Sequence, residues 1–172
     1  ASTGLLTGIS IGTVTLTATS AGDTNYYSAS TSQLITIGKT TPTLTITSSN
    51  TLNVDGSLTA SVSSTATLGR GGVITYSIAS GSGSATVNAS TGLLTGISIG
   101  TITLTATSAG DTNYYSASAS QLITIGKTTP TLTITSANTL NVNGTLSATI
   151  MTSATLGRGG VITYSIVGGS GS

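Results

Sequence analysis

Four cationic and three acidic side chains are the residues of this 172-residue chain best suited to chemistry. They are Lys39, Arg70, Lys127, Arg158, Asp23, Asp55 and Asp111. Because His and Cys are absent, a metal centre or an activated nucleophile would lack its usual ligands and bases. The aspartates are also too far apart in sequence to suggest the paired carboxylates of a glycosidase. We therefore predict no catalytic, cofactor-binding or metal site, and no enzyme.

The aspartates have two interpretations. Asp23 and Asp111 lie in the motif Ala-Gly-Asp-Thr-Asn-Tyr-Tyr, where a carboxylate could bind calcium or cap a turn. Calcium takes six to eight oxygens and this loop offers one carboxylate, which favours the turn. Asp55 lies in Val-Asp-Gly, a hairpin-turn signal, and Asn143 replaces it in the second copy without its charge. That replacement argues against a metal at this position.

The cations are also weak candidates for a site. Arg70 and Arg158 lie in Leu-Gly-Arg-Gly-Gly, which could hold an anion, but no helix pattern follows as a phosphate loop requires. A solvated loop tip or a contact with a neighbouring module is favoured. Lys39 and Lys127 could form an isopeptide bond with an Asn, but a solvated linker lysine is the ordinary expectation.

Glycans are a possible partner of this chain. The triplets Asn88-Ala-Ser90 and Asn143-Gly-Thr145 match the short N-glycosylation pattern. Thr and Ser are abundant in the printed sequence and would also permit O-linked glycans.

Composition limits other partners and the membrane topology. The net charge is +1 and no basic cluster is present, which disfavours a nucleic-acid partner. No apolar run approaches the roughly 20 residues of a membrane-spanning helix, so no membrane span is expected in this segment.

A period of two residues runs through the chain. Residues 13–19 place Val14, Leu16 and Ala18 on one face and threonines on the other. Similar alternation occurs at 43–47, 57–62 and 73–78. With Gly, Asn and Asp between the runs, this predicts about seven short strands per repeat in an antiparallel β-sandwich.

The second half of the chain repeats the first with a shift of 88 residues. Residues 1–84 align with 89–172 without a gap, and 13 of these 84 positions differ, leaving 71 identical. Two full periods would need four more residues, corresponding to 85–88. Val14 becomes Ile102 and Val62 becomes Ile150, which keeps apolar positions apolar.

Module boundaries are expected at Gly38-Lys-Thr-Thr-Pro42 and at 126–130, where both prolines occur. We predict the C-terminal half of one module at 1–38, a complete module at 39–126 and the N-terminal half of a third at 127–172. Each half needs the complementary half to bury its faces. That half would come from another subunit or, as favoured here, from a continuous tandem polypeptide.

The run from Ser90 to Tyr114, repeated at 2–26, resembles the bacterial immunoglobulin-like (Big-type) repeat domains. Its hallmarks are Ser-Thr-Gly, Leu-Thr-Gly, Gly-Thr-x-Thr-x-Thr-Ala-Thr and Gly-Asp-x-Asn-Tyr. The resemblance implies immunoglobulin-like modules in tandem, and an extracellular or cell-surface role in an adhesin stalk or fibre. The sandwich disulfide and core Trp are absent, so Tyr76 and Tyr164 are the candidates for the core position that Trp fills in antibody domains.

We therefore expect a structural repeat module that assembles head to tail with copies of itself. Uncharged strands leave edges prone to association, which favours packing against other copies or a glycan coat. The alternative is an ice- or polysaccharide-binding surface that uses the Thr-x-Thr strand faces, although the twist of sandwich sheets disfavours a flat array.

Overall fold

A computed structural model describes residues 4–66, 71–155 and 158–168, and their regular secondary structure is entirely β. The chain forms two compact units, Ala1–Gly126 and Lys127–Ser172. The first unit contains β1 (Gly12–Ser20), β2 (Ala29–Ile37), β3 (Leu44–Ile46), β4 (Thr51–Asn53), β5 (Ser57–Thr59), β6 (Val62–Ser64), β7 (Ile74–Ser80), β8 (Ser84–Val87), β9 (Leu93–Ser98), β10 (Gly100–Ser108) and β11 (Ala117–Gly126). The second contains β12 (Leu132–Ile134) and β13 (Ile150–Thr152).

The predicted alternation sets the two faces of β10. Ile102, Leu104 and Ala106 are fully buried, whereas the threonines between them are half-buried or exposed. Thr and Ile are β-branched and suit a pleated surface, so the same residues favour the strand and define its core face. The all-β prediction is confirmed.

Residues 39–126 form two main sheets. One has the order β4-β11-β10-β7 and the other β5-β9-β8, and β3 pairs with β6. Core residues come from both main sheets, with Leu94 of β9 packed in one cluster with Ile102, Leu104 and Ile123. This arrangement is consistent with a β-sandwich.

Two details of the predicted sandwich are wrong. The pairing of β4 with β11 is parallel, through Thr51–Thr124, Leu52–Ile125 and Asn53–Gly126. A parallel neighbour needs a long connection, and here the rest of the module between the two strands supplies it. The second error is the count, because the described residues of 39–126 (all but 67–70) form nine strands, whereas about seven were predicted. The extra count comes partly from β5 and β6, which only Ala60 and Ser61 separate.

Asp55 lies in a turn that links the two sheets, which corrects the hairpin prediction. The strands on either side of it, β4 and β5, belong to different sheets and do not pair. Gly56 N donates to Asn53 O at 3.0 Å, and Asp55 has φ +62°. The turn chemistry was predicted correctly, but turn type alone does not determine whether the next strand pairs back or crosses to the opposite layer.

The hairpin β1–β2 repeats the pairing of β10–β11 without its covering sheet. Both hairpins have the same register, since Gly12 faces Ile37 as Gly100 faces Ile125. Leu16 is nevertheless 44% exposed, whereas the equivalent Leu104 is 0% exposed. The hairpin therefore forms locally and leaves its apolar face uncovered.

The unit Lys127–Ser172 has little regular structure in its described part. β12 and β13 pair antiparallel, as β3 and β6 do. Tyr164 is 58% exposed and Ile166 is 98% exposed. The core position predicted for Tyr164 is therefore wrong here, whereas Tyr76 packs against the core cluster as expected.

Candidate functional site

The loop at residues 109–116, between β10 and β11, is held by its aspartate. We call it the junction loop. Asp111 Oδ1 accepts hydrogen bonds from Asn113 N at 2.7 Å and Tyr114 N at 2.9 Å. Asp111 N donates to Tyr114 O at 3.0 Å, which closes the turn. The predicted turn-capping role of Asp111 is confirmed.

The second carboxylate oxygen of Asp111 binds another loop. Gly71 N donates to Asp111 Oδ2 at 2.7 Å, and Gly110 N donates to Gly71 O at 2.9 Å. Gly71 has φ +93°, a conformation that favours glycine. These bonds tie the segment that precedes β7 to the junction loop that follows β10.

Hydrogen bonding lowers the pKa of the Asp111 carboxyl. The bond from Gly71 N contributes most, and the bonds from Asn113 and Tyr114 and the charge of Lys39 act in the same direction. Desolvation opposes them by raising the pKa. The ionised form is favoured because backbone N–H groups donate to both oxygens.

Lys39 is exposed, as expected of a linker lysine, and it also makes defined contacts with the junction loop. Lys39 Nζ donates to Asp111 O at 2.9 Å and lies 5.6 Å from the centroid of the Tyr115 ring. Thr40 N donates to Asn113 O at 3.3 Å, and Tyr115 N donates to Thr40 O at 2.9 Å. The segment entering the module is therefore fastened to its own junction loop.

The preceding hairpin also touches the junction loop. Ile11 N donates to Asn113 Oδ1 at 2.9 Å. A small cleft between the hairpin and the module is lined by Gly8, Ile37, Gly38 and Tyr114, among others. Residues from both sides of the predicted boundary at 38–42 thus meet at one loop, which makes this loop the candidate functional site.

The equivalent loop at residues 21–28 is built in the same way but has fewer contacts. Asp23 Oδ1 accepts hydrogen bonds from Asn25 N at 2.8 Å and Tyr26 N at 2.9 Å. Asp23 is exposed, whereas Asp111 is half-buried. Tyr27 is 98% exposed. The turn prediction for Asp23 is confirmed, and Asp23 and Tyr27 of this loop are exposed to solvent.

The remaining cationic candidates are Arg70, Arg158 and Lys127. Arg158 is exposed and its N donates to Thr155 O at 2.9 Å, while Arg70 lies outside the described residues. Lys127 is exposed. Asn143 has φ +59°, matching Asp55 at the equivalent turn. Over residues 4–66, 71–155 and 158–168, no group of three His, Cys, Asp or Glu could hold a metal.

The glycosylation triplets differ in their surroundings. Asn88 Oδ1 accepts hydrogen bonds from Ser90 N and Thr91 N at 3.0 Å each, so this exposed amide caps a turn. Asn143 occupies its left-handed turn in the second unit. Both side chains are exposed, and glycan attachment stays a prediction.

Hydroxyl side chains pair across neighbouring strands at several places. Thr105 Oγ1 lies 2.9 Å from Ser120 Oγ, and Thr17 Oγ1 lies 2.8 Å from Ser32 Oγ. Such pairs satisfy one hydroxyl with another across the strands. The Thr and Ser residues therefore contribute to sheet pairing as well as to the solvent face.

Comparison of the sequence with protein-family models and with curated proteins finds no match. The family resemblance carried by residues 90–114 therefore stays a prediction. In the described part of the chain, no helix is long and apolar enough to cross a membrane.

The contact of Lys39 with Asp111 was not predicted from the sequence. The two residues are 72 positions apart and neither lies in a recognised binding motif. One signal was available, because Lys39 recurs as Lys127 and Asp23 recurs as Asp111 in an unchanged context. Residues repeated at module boundaries are candidates for contacts between modules.

Proposed function

We propose that this chain is a structural segment of a tandem array of bacterial immunoglobulin-like modules, acting as a stalk or filament. The half-modules at 1–38 and 127–172 are completed by complementary halves of neighbouring copies or of a continuing chain. The proposal extends the head-to-tail assembly expected from the repeat.

The strand order supports the immunoglobulin-like assignment. In immunoglobulin sandwiches, strands A, B, E and D form one layer and strands G, F and C the other. Here β3 corresponds to A and pairs with β6, and the consecutive strands β5 and β6 together correspond to B. β9, which pairs with β5, corresponds to E, and β8 corresponds to D. β11, β10 and β7 match G, F and C, with β4 added beside β11.

Complementary exposure is the observation that carries the proposal. In the complete module, β9–β11 pack against residues of β4, β5 and β7. Residues 5–37 repeat the first set, and residues 131–166 repeat the second. Leu16 in the first half and Leu140 in the second are exposed, while the equivalents Leu104 and Leu52 are buried. Each half thus exposes the face that the other half covers.

Burial of this face provides the driving force for assembly. Each large aliphatic side chain moved from water into a core contributes about 1.5–3 kcal/mol. Several of them change from exposed to buried on pairing, by analogy with the complete module. The contact is heterologous, and its repetition generates an open filament where the rotation between copies does not close a ring.

Two leucines on one hairpin provide the test. Leu16→Asp places a charge on the face that pairing would bury, whereas Leu34→Asp places it on the opposite face. Leu34 is the matched control because its equivalent Leu122 stays 59% exposed in the complete module. Sedimentation velocity of the 172-residue chain should show end-to-end oligomers for the wild type and L34D, and loss of oligomers for L16D. A wild-type chain that stays monomeric at high concentration contradicts the proposal.

The location rests on the family resemblance, which supports an extracellular or cell-surface position. A membrane-impermeant amine reagent applied to intact cells tests it, since Lys39 and Lys127 offer primary amines. Labelling only after lysis would reject the proposed location.

A second candidate function is binding to ice or to a polysaccharide surface. The register places Thr105 between Ser77 of β7 and Ser120 of β11, and Thr107 between Thr75 and Ser118. This gives an uncharged hydroxyl face three strands wide. Purified protein should show thermal hysteresis that Thr105→Lys abolishes, and a wild type without hysteresis or polysaccharide binding rejects this candidate.

A further inference from the structure

We infer that the loop at residues 21–28 docks onto a second copy of this chain, with Asp23 accepting hydrogen bonds from Gly159 N and Lys127 Nζ of that copy. The inference rests on the proposed function and specifies its polar contacts. It concerns direction and register, because the apolar face alone would not define which backbone groups meet.

The complete module supplies the template for these contacts. There, Gly71 N donates to Asp111 Oδ2 at 2.7 Å and Lys39 Nζ donates to Asp111 O at 2.9 Å. Adding the 88-residue shift turns Gly71 into Gly159 and Lys39 into Lys127. The matching acceptor, which would be the next aspartate of the repeat, is Asp23 of another copy.

The two glycines of the second unit already have the φ angles of their counterparts in the complete module. Gly159 has φ +94° and Gly160 has φ +82°, compared with +93° at Gly71 and +82° at Gly72. Gly159 and Lys127 are exposed, whereas Gly71 is buried in its completed contact. Binding therefore requires no change in φ at these two glycines.

The acceptor loop is preformed as well. Gly22 has φ +77°, close to the +75° of Gly110. The turn bonds to Asp23 Oδ1, 2.8 and 2.9 Å long, match those to Asp111 Oδ1, 2.7 and 2.9 Å long. Among the described residues, no hydrogen bond reaches Asp23 Oδ2. Preorganisation on both sides lowers the entropy lost on association.

Asp23→Asn is the sharpest test variant. An asparagine keeps Oδ1 for the two turn N–H groups but replaces Oδ2 with an amide that cannot accept from Gly159 N. A charge-assisted hydrogen bond is lost and two donors face each other. The Kd of self-association should rise at least about tenfold.

Two further variants complete the design. Lys127→Met keeps an aliphatic chain of similar length and removes the ammonium donor, so the Kd should rise several-fold. Asp55→Asn is the matched control, because it makes the same chemical change at a turn where the second repeat of the same chain naturally has Asn143. Its Kd should equal that of the wild type.

Sedimentation velocity of the full 172-residue chain over a concentration series measures each Kd, and circular dichroism confirms that every variant retains its β-structure. Weaker association of D23N and K127M, with D55N unchanged, supports the inference. If the wild type associates and D23N associates equally well, the inference is overturned while the proposed function stands. A wild type that does not associate overturns the proposed function first, and this inference with it.

Discussion

Gly92 lies directly against the ring of Tyr76: a Cβ added at Gly92 would come 3.0 Å from Tyr76 Cε2. The same Cβ would lie 3.0 Å from Ala60 Cβ, and Gly92 has φ +70°. Tyr76 can therefore occupy the core because position 92 has no side chain. In a chain without Trp or Phe, this pairing lets a half-buried Tyr ring pack against the core cluster.

Gly92→Ala should destabilise the complete module. A left-handed residue with a Cβ costs about 1–2 kcal/mol and overpacking adds about 1–3 kcal/mol, so we expect a loss of about 2–5 kcal/mol. Urea denaturation followed by circular dichroism measures it. Gly4→Ala is the control, since Gly4 has φ +60° with nothing within 4 Å of an added Cβ. Equal losses in both variants would contradict the contact with Tyr76.

The complete module should lose stability in acid through Asp111. Its pKa is lowered in the folded state, so its contribution is present above the unfolded value, near 4, and is lost as the pH falls through the folded value. Lys39 is the charged neighbour that contributes to this shift. Melting temperatures measured between pH 7 and pH 2 should fall less steeply for Asp111→Asn than for the wild type. Parallel curves would show that other groups cause the acid loss.

Leu16 and Leu104 occupy the same position of the repeat but should contribute differently to the stability of the isolated chain. Leu104→Ala removes a fully buried side chain and should cost about 2–5 kcal/mol in unfolding free energy. Leu16→Ala should cost the monomer less, because Leu16 already contacts water. Urea titrations at low protein concentration compare them. The cost of L16A should increase with concentration as copies associate, and no such increase is expected for L104A.

The turn between the sheets should respond to backbone shape at Asp55. Asp55 has φ +62°. Asp55→Val therefore places a β-branched residue in the left-handed region and should lower the free energy of unfolding by about 1–2 kcal/mol. Asp55→Gly should change the unfolding free energy by less than 1 kcal/mol. Thermal melts of both variants decide this. Similar losses in Asp55→Val and Asp55→Gly would instead show that the carboxylate contributes more to stability than the backbone conformation does.

Local pattern was sufficient to predict strands and inward faces. Ile102, Leu104 and Ala106 are buried because period two and the strand pairing agree. Identical or similar residues at 14, 16 and 18 are in the same register but less buried. Their burial depends on a covering sheet distant in sequence, which no local pattern describes.

The junction loop illustrates the same limit at a polar site. The turn around Asp111 follows from Asp, Asn and their spacing, and it recurs around Asp23. The bond from Gly71 and the contacts of Lys39 join segments 40 and 72 residues away. Topology brings them together, and the parallel placement of β4 beside β11 depends on the same long-range closure.

That parallel pair determines how the module would respond to tension. The chain enters through β3 and β4 and leaves through β11, so pulling on the two ends drags β4 and β11 past each other in opposite directions. Their bonds, including Thr124 N to Asn50 O at 2.9 Å and Val54 N to Gly126 O at 3.0 Å, lie across the direction of pull. They are loaded together in shear instead of opening one at a time. In an array of such modules, the same hydrogen bonds between β4 and β11 would therefore resist the applied force in each completed module.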